Sequence, residues 1–252
     1  MTALDLSPAP GAAAPGRRVV RHALTEAKLL VRNGEQLLLA LVIPLAVLFG
    51  GQLLGRFGDI AVLAPSVLAL AVWSSAFTSV AIATGFERRY GVLERLAATP
   101  LGRTGLILGK ALAVTMIIIG QLVVLSVAGA LAGWRPVIMA GSLLGGLLLI
   151  ILGSATFVTL ALLLAGRLRA EVTLGLANLI YVVLLLAGGL VVPVDRYPAL
   201  LRPIVDALPT AALGEGLRAA AAGSVLGWPF LVLLAWLLVA TLLTRKGFRW
   251  MS

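Results

Sequence analysis

Six stretches without a charged residue dominate this chain: Gln36–Gly55, Ile60–Phe86, Ala111–Trp134, Pro136–Gly166, Val172–Val194 and Ala219–Thr244, of 20, 27, 24, 31, 23 and 26 residues. A helix crosses the roughly 30 Å hydrocarbon core of a bilayer with about 20 residues, so each stretch is long enough. In a chain that is 61% apolar and 12% charged, freedom from charge is weak evidence alone, and content must decide. Leu37-Leu-Leu-Ala-Leu-Val-Ile, Met116-Ile-Ile-Ile, Leu147-Leu-Leu-Ile-Ile-Leu and Tyr181-Val-Val-Leu-Leu-Leu are runs suited to face lipid. None alternates with the period of two that a barrel strand requires. Backbone in hydrocarbon must satisfy its own polar groups, which leaves helices. The expected fold is all-α, a polytopic membrane protein with six transmembrane helices near 37–55, 60–85, 106–133, 137–166, 172–193 and 228–245.

Composition removes several chemistries. The chain has no cysteine, hence no disulfide, thiolate metal site or thiol nucleophile. Its single histidine, His22, excludes most zinc and His-based acid/base constellations. A net charge of +10 would point to nucleic acid in a soluble protein, but no recognition helix or aromatic-basic patch supports that reading. In a membrane protein the charge reports topology instead. With both termini on one side, that side collects 15 basic residues: Arg17, Arg18, Arg21, Lys28 and Arg32, then Arg88, Arg89, Arg95, Arg103 and Lys110, then Arg167 and Arg169, then Arg245, Lys246 and Arg249. The other side collects 5, at Arg56, Arg135, Arg196, Arg202 and Arg218. The positive-inside rule then sets both termini in the cytoplasm. Only 3 of the 20 basic residues are lysine, a usage that hints at a G+C-rich bacterial genome and so at a bacterial plasma membrane.

Residues 1–16 form a Pro/Ala/Gly tail expected to be disordered, without the basic segment and apolar core of a signal peptide. Residues 17–35 read as an amphipathic helix in the headgroup layer, with Val20, Leu24, Ala27 and Val31 on one stripe and Arg21, Lys28 and Arg32 beside it. His22 falls among charges and is expected to be solvated. The transmembrane domain occupies residues 36–252.

Gly85–Arg103 is more than a connector. Glu87, Arg88, Arg89, Glu94 and Arg95 mix both signs beside Tyr90. Val92, Leu93, Leu96 and Ala97 make a short apolar side; Gly91 permits a break and Pro100 stops a helix. A plain helix–helix connection takes about 2–8 residues. The segment reads as a short amphipathic helix that either rests on lipid or docks a soluble protein. Glu87-Arg88-x-x-Gly91-x-Leu93-Glu94-x-Leu96-x-x-Thr99-Pro100-Leu101, followed by Leu108-Gly109-Lys110, resembles the membrane subunits of type-two ABC exporters. The resemblance implies that Glu87, Arg88, Arg89, Tyr90, Gly91, Leu93, Glu94, Leu96 and Pro100 belong to a cytoplasmic coupling helix that meets an ATPase subunit. Arg89 stands where that pattern usually has an acid, and Val92 where it has threonine.

Between the last two spans, Pro193–Gly227 carries Pro193, Pro198, Pro203 and Pro209, separating apolar pieces too short to span. Two short helices could dip into the outer leaflet, with Glu215 and Arg218 paired three apart on the second. The same family has a re-entrant extracellular helical hairpin here, and Gly188, Gly189, Pro193, Pro198, Leu208, Pro209, Glu215, Gly216 and Arg218 fit it.

Gly105-Leu-Ile-Leu-Gly109-Lys110-Ala111 resembles a phosphate loop, but it has three residues where four are needed before Gly-Lys, and alanine follows the lysine. Lys110 is expected to snorkel at a helix end. The GxxxG spacings are about as frequent as 28 glycines would give by chance and receive no functional weight. Trp73, Ser75 and Thr78, with Ser74 and Ser79, make the second span the most polar; Gln121, Asn178 and Tyr181 are isolated polar groups in the third and fifth. They serve helix packing or line a substrate path. No span holds a central acid, which argues against an ion-coupled carrier.

The resemblance implies a transport subunit that is not itself an enzyme. A second membrane subunit, identical or homologous, and two ATPase copies would complete the transporter. This chain would hold no cofactor, and ATP and magnesium would be bound by the ATPase. The expected cargo is a lipophilic drug, antibiotic or lipid. A permease for lipid-linked glycans, or a non-transporting assembly scaffold in the membrane, is the alternative.

Overall fold

The computed structural model describes residues 13–32, 34–54 and 59–247. Met1–Ala12 of the expected tail, with Gly55, Arg56 and Arg249, lie outside the described residues. Every regular element among the described residues is helical: α1 (Pro15–Arg32), α2 (Gly34–Leu54), α3 (Ile60–Trp73), a π-helical turn (Ser74–Ser79), α4 (Val80–Arg89), α5 (Val92–Ala97), α6 (Gly102–Leu131), α7 (Ala140–Ala165), α8 (Ala170–Ala187), a 3₁₀ turn (Val194–Arg196), α9 (Arg202–Asp206), α10 (Pro209–Ala221) and α11 (Trp228–Gly247).

Five rods are long and apolar enough to cross a bilayer: Ile60–Arg89, Thr104–Leu131, Ala140–Ala165, Ala170–Ala187 and Trp228–Lys246. The sixth expected span is α2. Its 21 residues rise about 31 Å, and its described apolar part is the shorter Leu41–Leu53. Leu143, Leu144, Leu147, Leu148 and Ile151 of α7 all lie exposed, an outer surface that only lipid or another membrane chain can cover. The chain is a multi-pass membrane protein.

The α3–α4 rod is the centre of the bundle. Of its most apolar window 72% is buried, against 28% or less in the other four rods. Trp73 stacks on Phe77 with ring centroids 4.3 Å apart and meets Phe157 of α7 edge-on at 4.8 Å. Trp73 precedes the widened π turn and Phe77 lies within it, where one extra residue has been accommodated mid-span.

Element ends depart from the sequence expectation for local reasons. The second span continues to Arg89 rather than stopping near residue 85, because its terminal charges find partners within the bundle. The fourth begins at Ala140, after a non-helical Val137 whose N–H donates to Ala221 O and an extended Met139. The fifth ends at Ala187, six residues short of the expected 193, because Gly188 and Gly189 unwind it, Gly189 at φ +69°.

One end of the bundle carries α1, α5 and the α7–α8 turn; α9 and the start of α10 lie away from it, beyond the unwound end of α8. α1 lies along α6 with Ala23 fully buried and Val20, Leu24 and Val31 turned outward. The seam is Gly105 and Gly109: a Cβ on Gly109 would stand 2.5 Å from the His22 ring, and one on Gly105 3.7 Å from Val19. This GxxxG spacing, unremarkable by count, is where two helices close on each other. Gly109→Val should therefore lift α1 from α6, costing about 1–3 kcal/mol and exposing Pro15–Arg32 to limited proteolysis.

Candidate functional site

At the end of α4 three successive residues reach three different neighbours, because a helix turns about 100° per residue. Glu87 Oε1 accepts from Lys110 Nζ on α6 at 2.6 Å, and Glu26 of α1 lies 3.8 Å from the same ammonium. Arg88 donates to the carbonyl of Leu168 in the α7–α8 turn. Arg89 pairs with Glu171 on the first turn of α8. Gly91, at φ +66°, then reverses the chain into α5. Leu93 of α5 is buried and Leu96 half-buried, so the short apolar side anchors the turn to the bundle. Tyr90, Glu94, Arg95, Thr99 and Pro100 remain exposed. The Thr99 hydroxyl closes the following corner by donating to the Leu96 carbonyl at 2.6 Å.

Mixed charge in a loop thus resolves into two sets. Glu87, Arg88 and Arg89 clamp the turn to the bundle, while Tyr90, Glu94, Arg95 and Pro100 form its outward face. Lys110 does not snorkel; it is 8% exposed and held between Glu87 and Glu26. Nor is His22 solvated, since its side chain is 10% exposed between Glu26 and the Gly109 seam. Sequence reasoning missed Glu26 and Glu171; the i,i+4 spacing of His22 and Glu26 was the available signal for the first.

Burial, the dominant influence, lowers the His22 pKa from its usual 6.5; Glu26 draws it back up and Lys110 pushes it further down. Below about pH 6.5 the unfolded chain therefore binds more protons here than the folded one, and docking of α1 weakens as pH falls. Hydrogen exchange of the α1 amides, corrected for intrinsic rates, should be faster at pH 5.5 than at pH 7.5 by about two- to tenfold. His22→Asn should flatten that dependence.

At the other site, unwinding α8 at Gly188 leaves buried carbonyls without helical donors, which a membrane interior does not tolerate. The hairpin supplies them. Thr210 Oγ1 donates to Gly188 O at 2.7 Å. The Arg218 guanidinium donates to Leu190 O at 2.8 Å, Gly189 O at 2.9 Å, Ser66 Oγ at 2.7 Å and Glu215 Oε1 at 2.9 Å. That same carboxylate oxygen accepts the Val194 N–H at 2.8 Å. Arg218 is 8% exposed, so this is a buried charge whose two terminal nitrogens each find two acceptors.

Residues 209–218 of α10 are buried apart from a half-buried Glu215, with α3, α7 and α11 packed around the helix. A Cβ on Gly216 would meet Leu149 of α7 at 2.6 Å, and one on Gly214 would meet Gly189 O at 2.8 Å, so the glycines admit this helix from both sides. Pro209 starts α10, Leu208 packs on Val194 and Val205 below it, and Pro193 precedes the 3₁₀ turn. Pro198 opens the turn into α9, its carbonyl accepting from Leu201 N at 2.9 Å.

The isolated polar residues divide. Ser75 Oγ donates to Gln121 Oε1 at 2.5 Å, tying the π turn to α6. Trp73 and Tyr181 are buried near it, and Trp73 Nε1 and Thr78 Oγ1 have no protein acceptor or donor among the described residues. Asn178 stands apart, exposed on the outer face of α8 with Leu179 and Val182. The structure does not bring it to the others.

A comparison with curated proteins finds none that matches the chain. The family model for the ABC-2 type transporter matches residues 23–221, from the α1 seam through the last residue of α10. Matched over most of its length, the chain belongs to the ABC-2 type transporter family and is a membrane permease subunit, not an enzyme.

Proposed function

We propose that this chain is the membrane half of an ATP-driven exporter, docking a separate ATPase through the exposed face of Tyr90, Glu94, Arg95 and Pro100. The observation that carries the reading is the mounting of that face. Glu87, Arg88 and Arg89 join it at once to α6, the α7–α8 turn and α8, and Lys110 adds α1. A push on the turn is then a push on the central rod, since α4 continues into α3. The π turn at Ser74–Ser79 alters regular helical bonding in the middle of the rod, and it is where the rod would bend. ATP shifts the transporter only if the ATP-bound partner favours one arrangement over the other.

In this reading the end bearing α1 and α5 faces the cytoplasm of a bacterial cell, and the hairpin lies toward the outer leaflet. Two copies, or this chain with a homologous one, flank the route, with two ATPase chains that bind ATP and magnesium. The cargo is a lipophilic compound: a drug, an antibiotic or a lipid. The surroundings of Trp73 and Thr78, with polar atoms unused by the protein, support a path that passes amphiphiles. The Ser75–Gln121 bond tests the bend. Ser75→Ala should leave ATPase association intact and change coupled transport by about two- to tenfold, through loss of a buried hydrogen bond of about 1–2 kcal/mol. Unchanged transport would place the bend elsewhere.

A further inference from the structure

α7 and α8 are joined by a tight turn at Gly166–Arg169, yet α8 leans on α4 and meets α7 only sparsely. Between them, bounded on the far side by α10 and α11, lies a cleft of about 470 Å³, within the range of ligand sites. Trp73 and Phe77 form part of its lining; Leu164 and Ile180 line its sides, and Leu208 and Trp236 its hairpin end. Trp236 is fixed there by its indole N–H, which donates to Ala207 O at 2.8 Å. An empty space so lined forgoes dispersion contacts along its whole length.

One charged residue lines the cleft. Arg167 follows the last turn of α7, is exposed, and donates one N–H to Leu243 O of α11 at 3.2 Å. Among the described residues no carboxylate pairs with it, and Arg245 and Lys246 close the same end of α11. An apolar slot that runs into the bundle from a basic rim at the ends of its helices has the polarity of a phospholipid. We propose that this cleft holds one anionic phospholipid, with an acyl chain against Trp73 and Phe77 and the phosphate at Arg167. A zwitterionic headgroup would bring its own cation to the basic rim and is disfavoured. This site lies within one subunit and requires neither an ATPase nor a second copy.

Native mass spectrometry tests it on the full-length chain released from nanodiscs of equimolar phosphatidylglycerol and phosphatidylcholine. The wild type should retain phosphatidylglycerol over phosphatidylcholine by about fivefold or more, the scale expected for one basic residue at a membrane surface. Arg167→Gln, at an exposed position, should bring the two lipids to parity. Ile180→Phe should narrow the slot and strip retained lipid of either kind while Arg167 remains. Equal retention of both lipids by the wild type, no retained lipid, or undiminished preference in Arg167→Gln would each overturn the proposal. Retention of a second protein copy in place of lipid would do the same, by showing the slot to be an interface.

Discussion

Arg218→Met is expected to prevent accumulation of folded protein. The substitution keeps much of the side chain's length and removes the donors that serve Leu190 O, Gly189 O, Ser66 and Glu215. Glu215 is then left as a carboxylate among apolar helices with only the Val194 N–H. Breaking one partner of a buried pair costs about 3–5 kcal/mol, a large part of the roughly 5–15 kcal/mol that holds a domain together. Arg218→Lys should not rescue it, since an ammonium on a flexible stem cannot fork across acceptors on both sides. Glu215→Gln should be much milder, about 1–2 kcal/mol, because an amide oxygen still accepts from Val194 and Arg218. Size-exclusion profiles and melting midpoints in detergent decide: a monodisperse Arg218→Met protein melting with the wild type would show that the hairpin is held by something else.

The second large effect concerns the docking face. Tyr90→Asp combined with Glu94→Arg alters only exposed side chains, so the fold should survive while co-purification of the ATPase falls more than tenfold. Glu87→Arg should behave differently. It sets a second cation against Lys110 in a half-buried place, so it should loosen α1, α4 and α6 before any partner is added. Comparing the two variants by melting midpoint separates a contact surface from the mount beneath it. Equal ATPase recovery with wild type and the Tyr90/Glu94 variant would remove the docking face from this account.

Span content was legible because lipid imposes a long, uniform requirement that local sequence must meet in place. Ends were less legible, since they depend on partners distant in sequence: Arg89 stays helical because Glu171 is near, and α8 stops early because Thr210 and Arg218 receive its carbonyls. The Glu215–Arg218 pair could be read from an i,i+3 spacing, but Ser66 as its partner could not, being 152 residues away. The charges of Gly85–Arg103 were visible, whereas their division between clamp and surface is set by which way each helical turn points. The Gly105–Gly109 seam was hidden for a statistical reason: in a glycine-rich chain, spacing alone does not distinguish a packed pair from an idle one. Asn178 shows the converse, a polar residue in a span that turns outward instead of joining the group around the π turn.

ATP-dependent efflux from proteoliposomes addresses the main claim most directly, comparing vesicles that hold this chain, its co-purifying ATPase, or both, with a lipophilic fluorescent dye as cargo. The account predicts dye release on ATP addition only when both are present, and its loss in the Tyr90/Glu94 variant. Release by this chain alone, or undiminished release by that variant with the ATPase present, would contradict it.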